Sequence, residues 1–403
     1  MPHPKTLILT DGSAGGAAAA TAHLVAGLES LHPGKHQWWH FSPSSVLTEN
    51  KPALSLDPSP KRPTFERILK NVSRPLADKL RRKRHRLAFH QRIHAELPSI
   101  INFHNIHSCG LNHDDLQRIP AEIPIVWTMH DCWSFNVRAF EWINQVTKEI
   151  QFLCDDLPHQ EARQRREELF RKRQDLVLVA PSKWLAHSAR EVVGPEIRIE
   201  HIPYGICSET FQPSPVTEAR NELGLDPDKV WLGIAATHAH YRKGLDVLAA
   251  ALHQIDCQNI GLLSWGQKPD LLWPDNLEVN PIGHVSDQKK IARLYAACDL
   301  FVCPSRSDNL PNTILESLAC GIPVIGSDAG GIPDMVRPEV TGWVFSSDHP
   351  KSCANSIRQA ITQRENWPNL KANCRQIALE DYSLQRQATS YSKLFAELLS
   401  SKT

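Results

Sequence analysis

A chain of 403 residues, 41% hydrophobic and 22% charged, is long enough for two cores and has the composition of an ordinary soluble protein. Its ten cysteines show no CxxC pair and no regular spacing, which excludes a disulfide framework or a zinc ribbon and fits reduced thiols. The net charge of +1 conceals an asymmetry: residues 61–92 hold twelve Lys or Arg against Glu66 and Asp78, leaving about −9 for the remainder. A surplus of that size predicts an anionic partner, either a membrane surface or nucleic acid. No run approaches the ~20 apolar residues that span a bilayer, and the N-terminus lacks the pattern of a signal peptide, so the expectation is a cytoplasmic protein.

In chain order, Lys5-Thr-Leu-Ile-Leu-Thr10 reads as a buried strand, Asp11-Gly-Ser-Ala-Gly-Gly16 as a close-approach loop, and 17–30 as an Ala-rich helix. The glycines do not spell GxGxxG, so the dinucleotide fingerprint is absent. A second strand is predicted at 37–41 and a Pro/Ser-rich loop at 42–63. Leu76, Leu80, Leu87, Ile93 and Leu97 then form a partial helical stripe beneath Arg81-Arg-Lys-Arg-His-Arg86. This segment is either a solvated helix face or an anionic-surface patch. Four consecutive basic residues repel one another without a counter-charge, which favours the patch.

Two strands with histidine-bearing ends follow, Ile100 to His107 and Ile123 to Asp131. His104, His107 and His130 lack a carboxylate or cysteine at a recognisable ligand spacing, so no metal is expected. Residues 141–173 read as a polar surface excursion ending in a helix over 160–173. Further buried strands are predicted at 175–182 and 197–205, and Gln212-Pro-Ser-Pro215 reads as an interdomain linker. The second half repeats the alternation, with strands at 230–236, 260–265, 277–282, 299–303 and 322–326. Helices are predicted there at 243–255, 287–297, 311–320 and 350–363. Alternating short strands and helices argue for parallel sheets covered on both faces. The α/β pattern thus divides into a domain at 1–210, a second at 211–382, and a last helix over 383–399 within a tail 383–403. Apolar Leu384, Ala388, Tyr391, Leu394, Phe395 and Leu398 give that helix a face that needs a partner surface on the first domain.

The most informative stretch is Cys303 to Gly326: strand end, loop, helix opening at Pro311, stop at Gly321, strand. The amides of Asn312 and Thr313 would sit at a helix N-terminus, which favours an anion such as phosphate. Asp308 and Glu316 flank it, and such a pair beside an anion site suits the hydroxyls of a sugar and a ribose. The competing reading makes Asp308 a helix cap and Glu316 a solvated residue. Tyr241-Arg-Lys-Gly244, at the mouth of the strand 230–236, places Lys243 where it can meet a diphosphate from the other side.

Together these pieces resemble glycosyltransferase family 4, over nearly the whole chain. The resemblance rests on Gly15-Gly16, Thr128-Met-His-Asp131, Pro181-Ser-Lys-Trp184, His201-Ile-Pro-Tyr-Gly205, Arg242-Lys-Gly244 and Pro304 through Glu316 to Gly331. It implies an α/β fold of two Rossmann-like β/α/β domains facing across a cleft, the B-type glycosyltransferase fold. It also implies a retaining, metal-independent hexosyltransferase. By it, Glu316 holds the ribose, Asp308 the donor sugar, and Lys243 with Arg242 the diphosphate. His130 lies against the sugar, Gly15 and Gly16 let the backbone approach the donor, and Asn312 and Thr313 complete the anion site. No cofactor is implied beyond the nucleotide-sugar donor. The acceptor is a glycan or lipid-linked glycan, since Ile101-Asn-Phe-His-Asn-Ile-His107 and Asn309-Leu-Pro-Asn-Thr313 resemble a subgroup that builds bacterial surface polysaccharides. Residues 61–92 would then meet the anionic inner face of a membrane, and nucleic acid is not expected. The chain departs from the family in having Asp308 for the first glutamate and Ala236-Thr237 where relatives often carry Gly-Arg. The alternatives are a nucleotide-sugar epimerase or phosphorylase on the same architecture, and a catalytically silent protein that binds anionic surfaces.

Overall fold

The continuous apolar run Thr6–Thr10 is buried at every residue, as a strand covered on both faces must be. It is the third strand of a seven-stranded sheet whose order is Leu54–Ser55, His36–His40, Thr6–Thr10, Ile100–Phe103, Ile125–Thr128, Val177–Ala180 and Arg198–His201. Every pairing in it is parallel. A second, six-stranded sheet orders Glu278–Gly283, Ile260–Gly266, Val230–Ala236, Leu300–Cys303, Val324–Ser327 and Gly342–Phe345, again all parallel. The computed structural model describes residues 6–10, 15–40, 54–55, 74–106, 111–135, 141–143, 150–152, 159–236, 241–267 and 271–401. Asp11 to Ala14, His107, Thr237 and the basic residues between 61 and 73 lie outside the described residues.

Apolar clusters cover both faces of each sheet. Phe89, Phe103, Trp127 and Leu178 pack on one face of the first, and Ile8, Leu24, Val126 and Val179 on the other. The second sheet has Trp231, Tyr295, Phe301 and Ile314 on one side and Leu232, Leu248, Val302 and Ile357 on the other. Helix Leu384–Ser400, entered through the Ser383 cap, returns to the first sheet and buries Ala388, Tyr391, Leu394 and Phe395 with Ile8, Leu24 and Val126. The chain leaves the first domain at Ile206 and comes back at Ser383. The two passages lie side by side, joined by a bond from the Ile206 amide to the Tyr382 carbonyl at 2.7 Å.

Several expectations need correction. The strands at 100–107, 123–131 and 175–182 stop at Phe103, Thr128 and Ala180, because their last residues turn into loops at the sheet's carboxyl edge. The helix Lys183–Val193, capped by Ser182, was not anticipated. The excursion at 141–173 contains an antiparallel pair, Glu141–Ile143 with Ile150–Phe152. Val216–Leu223, Ile332–Met335, Gly342–Phe345 and Trp367–Asp381 are elements with no counterpart in the sequence reading. The basic segment does form a helix, Arg74–Glu96, but its leucine stripe is turned outward: Leu76 and Leu87 are exposed, and Leu97 follows them. Of the predicted stripe Ile93 does face the core, beside His85 and Phe89, whose ring meets Phe103.

Because Phe395 is buried at 4% exposure between the last helix and the first sheet, Phe395→Ala should cost about 3–5 kcal/mol in denaturant unfolding. An unchanged midpoint would mean that this helix does not stabilise the first domain.

Candidate active site

The loop after Leu300–Cys303 is held by one buried cation. The Arg306 guanidinium, 3% exposed, donates to both Asp246 carboxylate oxygens at 2.7 and 2.6 Å, to Asp348 at 2.6 Å and to the Tyr241 carbonyl at 2.7 Å. It also lies 3.7 Å from the centre of the Tyr241 ring. Backbone bonds complete the seam: Arg306 N–H to the Arg242 carbonyl at 2.7 Å, and Arg242 Nη1 to the Ser307 carbonyl at 2.8 Å. Gly244 follows in the left-handed region at φ 64°, and a Cβ there would lie 1.9 Å from the Pro304 carbonyl oxygen. Only glycine allows that approach.

The seam delivers two cations to one acid. Lys243 Nζ is 2.7 Å and Arg242 Nη1 3.4 Å from Asp308 Oδ2, which also accepts from the Ser305 hydroxyl at 3.3 Å. Burial pushes the Asp308 carboxyl up, but the Lys243 and Arg242 charges more than offset it, so it ionises below the usual carboxylate range. The Asp308 carbonyl accepts from the Gly331 amide at 3.0 Å. Its side chain caps no helix. The helix Asn312–Ala319 starts after Pro311 without a side-chain cap, and the amides of Asn312 and Thr313 have no acceptor among the described residues. Those amides and the two cations make an electropositive corner suited to an anion.

Glu316, one turn into that helix, is not a solvated residue. The Tyr295 hydroxyl bonds to Glu316 Oε2 at 2.9 Å and to the Thr313 carbonyl at 3.0 Å. Burial raises the Glu316 carboxyl to about 7, against the opposing effect of the tyrosine bond. From the first domain, the Gly16 carbonyl accepts from Asn312 Nδ2 at 2.9 Å, and Gly15 beside it has φ 95°. His130 is buried beyond the end of strand Ile125–Thr128. Its Nε2 lies 2.8 Å from His104 Nδ1 and its Nδ1 2.6 Å from the Tyr204 hydroxyl. The structure thus brings Arg242, Lys243 and Asp308 together, and Gly16 with Asn312. Glu316 is tied to Thr313 through Tyr295.

Two cross-cleft residues escaped the sequence reading. Asn309 donates through Nδ2 to the His130 carbonyl at 3.2 Å and accepts from the Ser182 hydroxyl at 2.6 Å. Ser182 carried a legible signal, a serine one position ahead of a helix. Asn309 carried none, because its partners lie more than a hundred residues away.

Two sheets of parallel strands with their helices, meeting at a corner of this kind, define the B-type glycosyltransferase fold. Sucrose-phosphate synthase from Thermosynechococcus elongatus superposes with a TM-score of 0.74 at 19% identity, covering 99% of this chain and all of that one. HepE from Anabaena in complex with UDP and glucose gives 0.68 at 17%, covering 98% and 100%. Residues 229–363 match the family described as "Glycosyl transferases group 1". Among curated proteins, the lipopolysaccharide core biosynthesis mannosyltransferase LpsB of Rhizobium meliloti (strain 1021) is 26% identical over 230 residues, 53% of this chain and 65% of that protein. The chain's matches span between 39% and 65% of the length of the curated relatives.

The raised acid has a consequence for stability. A carboxyl titrating near 7 when folded and near its ordinary value when unfolded binds more protons in the folded state between those values. Its contribution is therefore full below the unfolded value and is lost as pH rises toward 7. Glu316→Gln should match the wild type at pH 5 and exceed it by roughly 1–3 kcal/mol at pH 8, measured by denaturant unfolding. A stability difference that does not vary with pH would remove the elevated acid.

Proposed function

We propose that this protein is a retaining, metal-independent glycosyltransferase that moves a hexose from a nucleoside diphosphate sugar to a glycan or lipid-linked glycan. The observation that carries the reading is the corner where Lys243 and Arg242 meet Asp308 beside the open amides of Asn312 and Thr313. A diphosphate there would take Lys243, Arg242 and the amides. Asp308 would be left to accept from hydroxyls of the donor sugar. Glu316 would accept from the ribose, and Gly15 and Gly16 would let the first domain's backbone close over the donor. His130 would border the sugar, held on its far side by His104 and Tyr204. As the glycosidic bond breaks, negative charge grows on the departing diphosphate, and fixed cations and amides stabilise it without reorganising. That positive field is why no metal ion and no cofactor besides the donor are part of the proposal. A glycan acceptor is supported by the lipopolysaccharide-core activity named for the Rhizobium relative.

The roles separate experimentally. Glu316→Ala should weaken binding of a free nucleoside diphosphate by about 1.5–3 kcal/mol in calorimetry run with UDP and with GDP. Asp308→Ala should keep that affinity and lose turnover of the intact sugar nucleotide, whereas Lys243→Ala should lower turnover by about 10²–10³. Equal loss of nucleotide affinity in Glu316→Ala and Asp308→Ala would reject the division, and wild-type activity abolished by EDTA and restored by magnesium would reject metal independence.

The outward face of helix Arg74–Glu96 supports a cytoplasmic enzyme peripheral to the inner membrane face. No helix among the described residues is long and apolar enough to cross a membrane. Lys79, Arg82 and Lys83 are exposed beside the exposed Leu76 and Leu87, a basic helix with apolar side chains pointing out. Arg86 is not part of this face, because it pairs with Asp115 at 2.8 Å. Each cation near an anionic surface contributes ~1 kcal/mol, screened over ~8 Å at physiological salt. We expect cosedimentation with phosphatidylglycerol vesicles but not phosphatidylcholine vesicles. Binding should be lost when Lys79, Arg82 and Lys83 become Gln and Leu87 becomes Ser. Undiminished binding by that variant would leave the helix a solvated face.

A further inference from the structure

A chain of buried hydrogen bonds runs from Tyr391 of the last helix, whose hydroxyl is 2.7 Å from Thr128 Oγ1, to the cleft. Asn102 Nδ2 donates to the Val126 carbonyl at 3.3 Å and to Thr128 Oγ1 at 3.0 Å, so Asn102 Oδ1 is the atom facing His104 Nε2 at 3.0 Å. His104 Nε2 therefore carries a proton. Burial, aided by the neighbouring His130, lowers the His104 imidazole well below the usual value and keeps it neutral, leaving Nδ1 a bare acceptor. His130 Nε2, 2.8 Å away, must donate to it. His130 Nδ1 meets the Tyr204 hydroxyl at 2.6 Å, and the Tyr204 and His130 rings lie near parallel with centroids 5.4 Å apart.

Burial pushes the Tyr204 phenol well above its usual value, so it keeps its proton and gives it to His130 Nδ1. The Leu185 amide donates to Ser182 Oγ at 3.0 Å, so the Ser182 proton goes to Asn309 Oδ1 at 2.6 Å. Asn309 thus presents its NH2 group to the His130 carbonyl at 3.2 Å and the Met129 carbonyl at 3.5 Å, so the second domain holds the backbone of the histidine whose ring Tyr204 meets.

We propose that Tyr204 and Asn309 are positioning residues for His130, Tyr204 holding its ring as the Nε2–H tautomer and Asn309 holding its backbone, so that the second domain orders the cleft histidine of the first. Neither is a group that the mechanism above places on the donor. The lock is a property of the ligand-free chain and is tested without any substrate.

Histidine-selective 15N NMR of the wild type, with His130→Gln supplying the assignment, should show His130 protonated at Nε2 and bare at Nδ1 from pH 6 to 8. Tyr204→Phe should move the Nδ1 resonance. Asn309→Ala should move it too, although Asn309 does not touch the ring. Wild-type His130 protonated at Nδ1, or ring resonances unmoved in both variants, would overturn the proposal. Retained thermal unfolding and near-UV circular dichroism identify variants that fold, and His104→Asn offers a third perturbation if one does not. This arm stands or falls independently of the glycosyltransferase reading. With a sugar nucleotide that the wild type turns over, Tyr204→Phe should lower kcat between about ten-fold and a hundred-fold while its KM changes little. Unchanged kcat beside a moved resonance would also overturn the positioning role.

Discussion

The buried guanidinium of Arg306 is the contact on which the site's electrostatics depend. It joins three segments far apart in sequence: the loop after the fourth strand of the second sheet, the turn Tyr241–Lys243, and Asp348 beyond the last strand. Without that seam, Lys243 and Arg242 would have no reason to point at Asp308. A buried, many-partnered charge of this kind is weak support for net stability, because desolvation cancels much of the attraction. Its value lies in geometry. Removing it would strand Asp348, 12% exposed at its side chain, without a counter-charge.

The second constraint is the way the two domains meet. Among the described residues they touch through polar contacts between loops at the sheets' carboxyl edges, Asn309 to Ser182 and His130, Asn312 to Gly16, and the Lys183 amide to Asp334 at 2.7 Å, beside an apolar cluster that joins Ala20, Tyr204 and Ile206 to Leu310 and Ile314. The chain crosses between them twice, and the two crossings are pinned to each other at Ile206 and Tyr382. Gly205 is confined there by the backbone of Leu384, which a Cβ would approach within 2.9 Å, while its amide bonds to Gln387 Oε1 at 3.0 Å.

Much of this was legible in the sequence because parallel sheets impose a local signature. Strands covered on both faces must be short apolar runs, and Val230–Ala236, Ile260–Gly266 and Leu300–Cys303 announce themselves that way. The electropositive corner was legible for a related reason: Pro311, Gly321 and Lys243 mark element ends, and ligands bind where elements end. What could not be read was phase and partnership. The leucines of Arg74–Glu96 outnumber its aromatics, and periodicity alone cannot tell which stripe meets a core assembled from Phe103 and its neighbours. Asn309 and Tyr204 look like ordinary loop residues, and their meaning comes from contacts spanning up to 179 residues of chain.

The two acids of the site show how little residue type decides. Asp308 and Glu316 sit eight positions apart around one helix start, and both lose water. Asp308 gains two cations at 2.7 and 3.4 Å and ionises more readily than a free carboxylate. Glu316 gains only a tyrosine hydroxyl, which does not offset burial, and it titrates near 7. The same desolvation thus yields opposite shifts according to what replaces the water. A diphosphate arriving at the corner would draw Lys243 and Arg242 toward itself, exposing Asp308 as a charged acceptor at the moment the sugar follows. Under the proposed function, Glu316 near neutrality would meet ribose hydroxyls in either protonation state, as acceptor when ionised and as both donor and acceptor when not, and binding need break a strong ion pair only at Asp308.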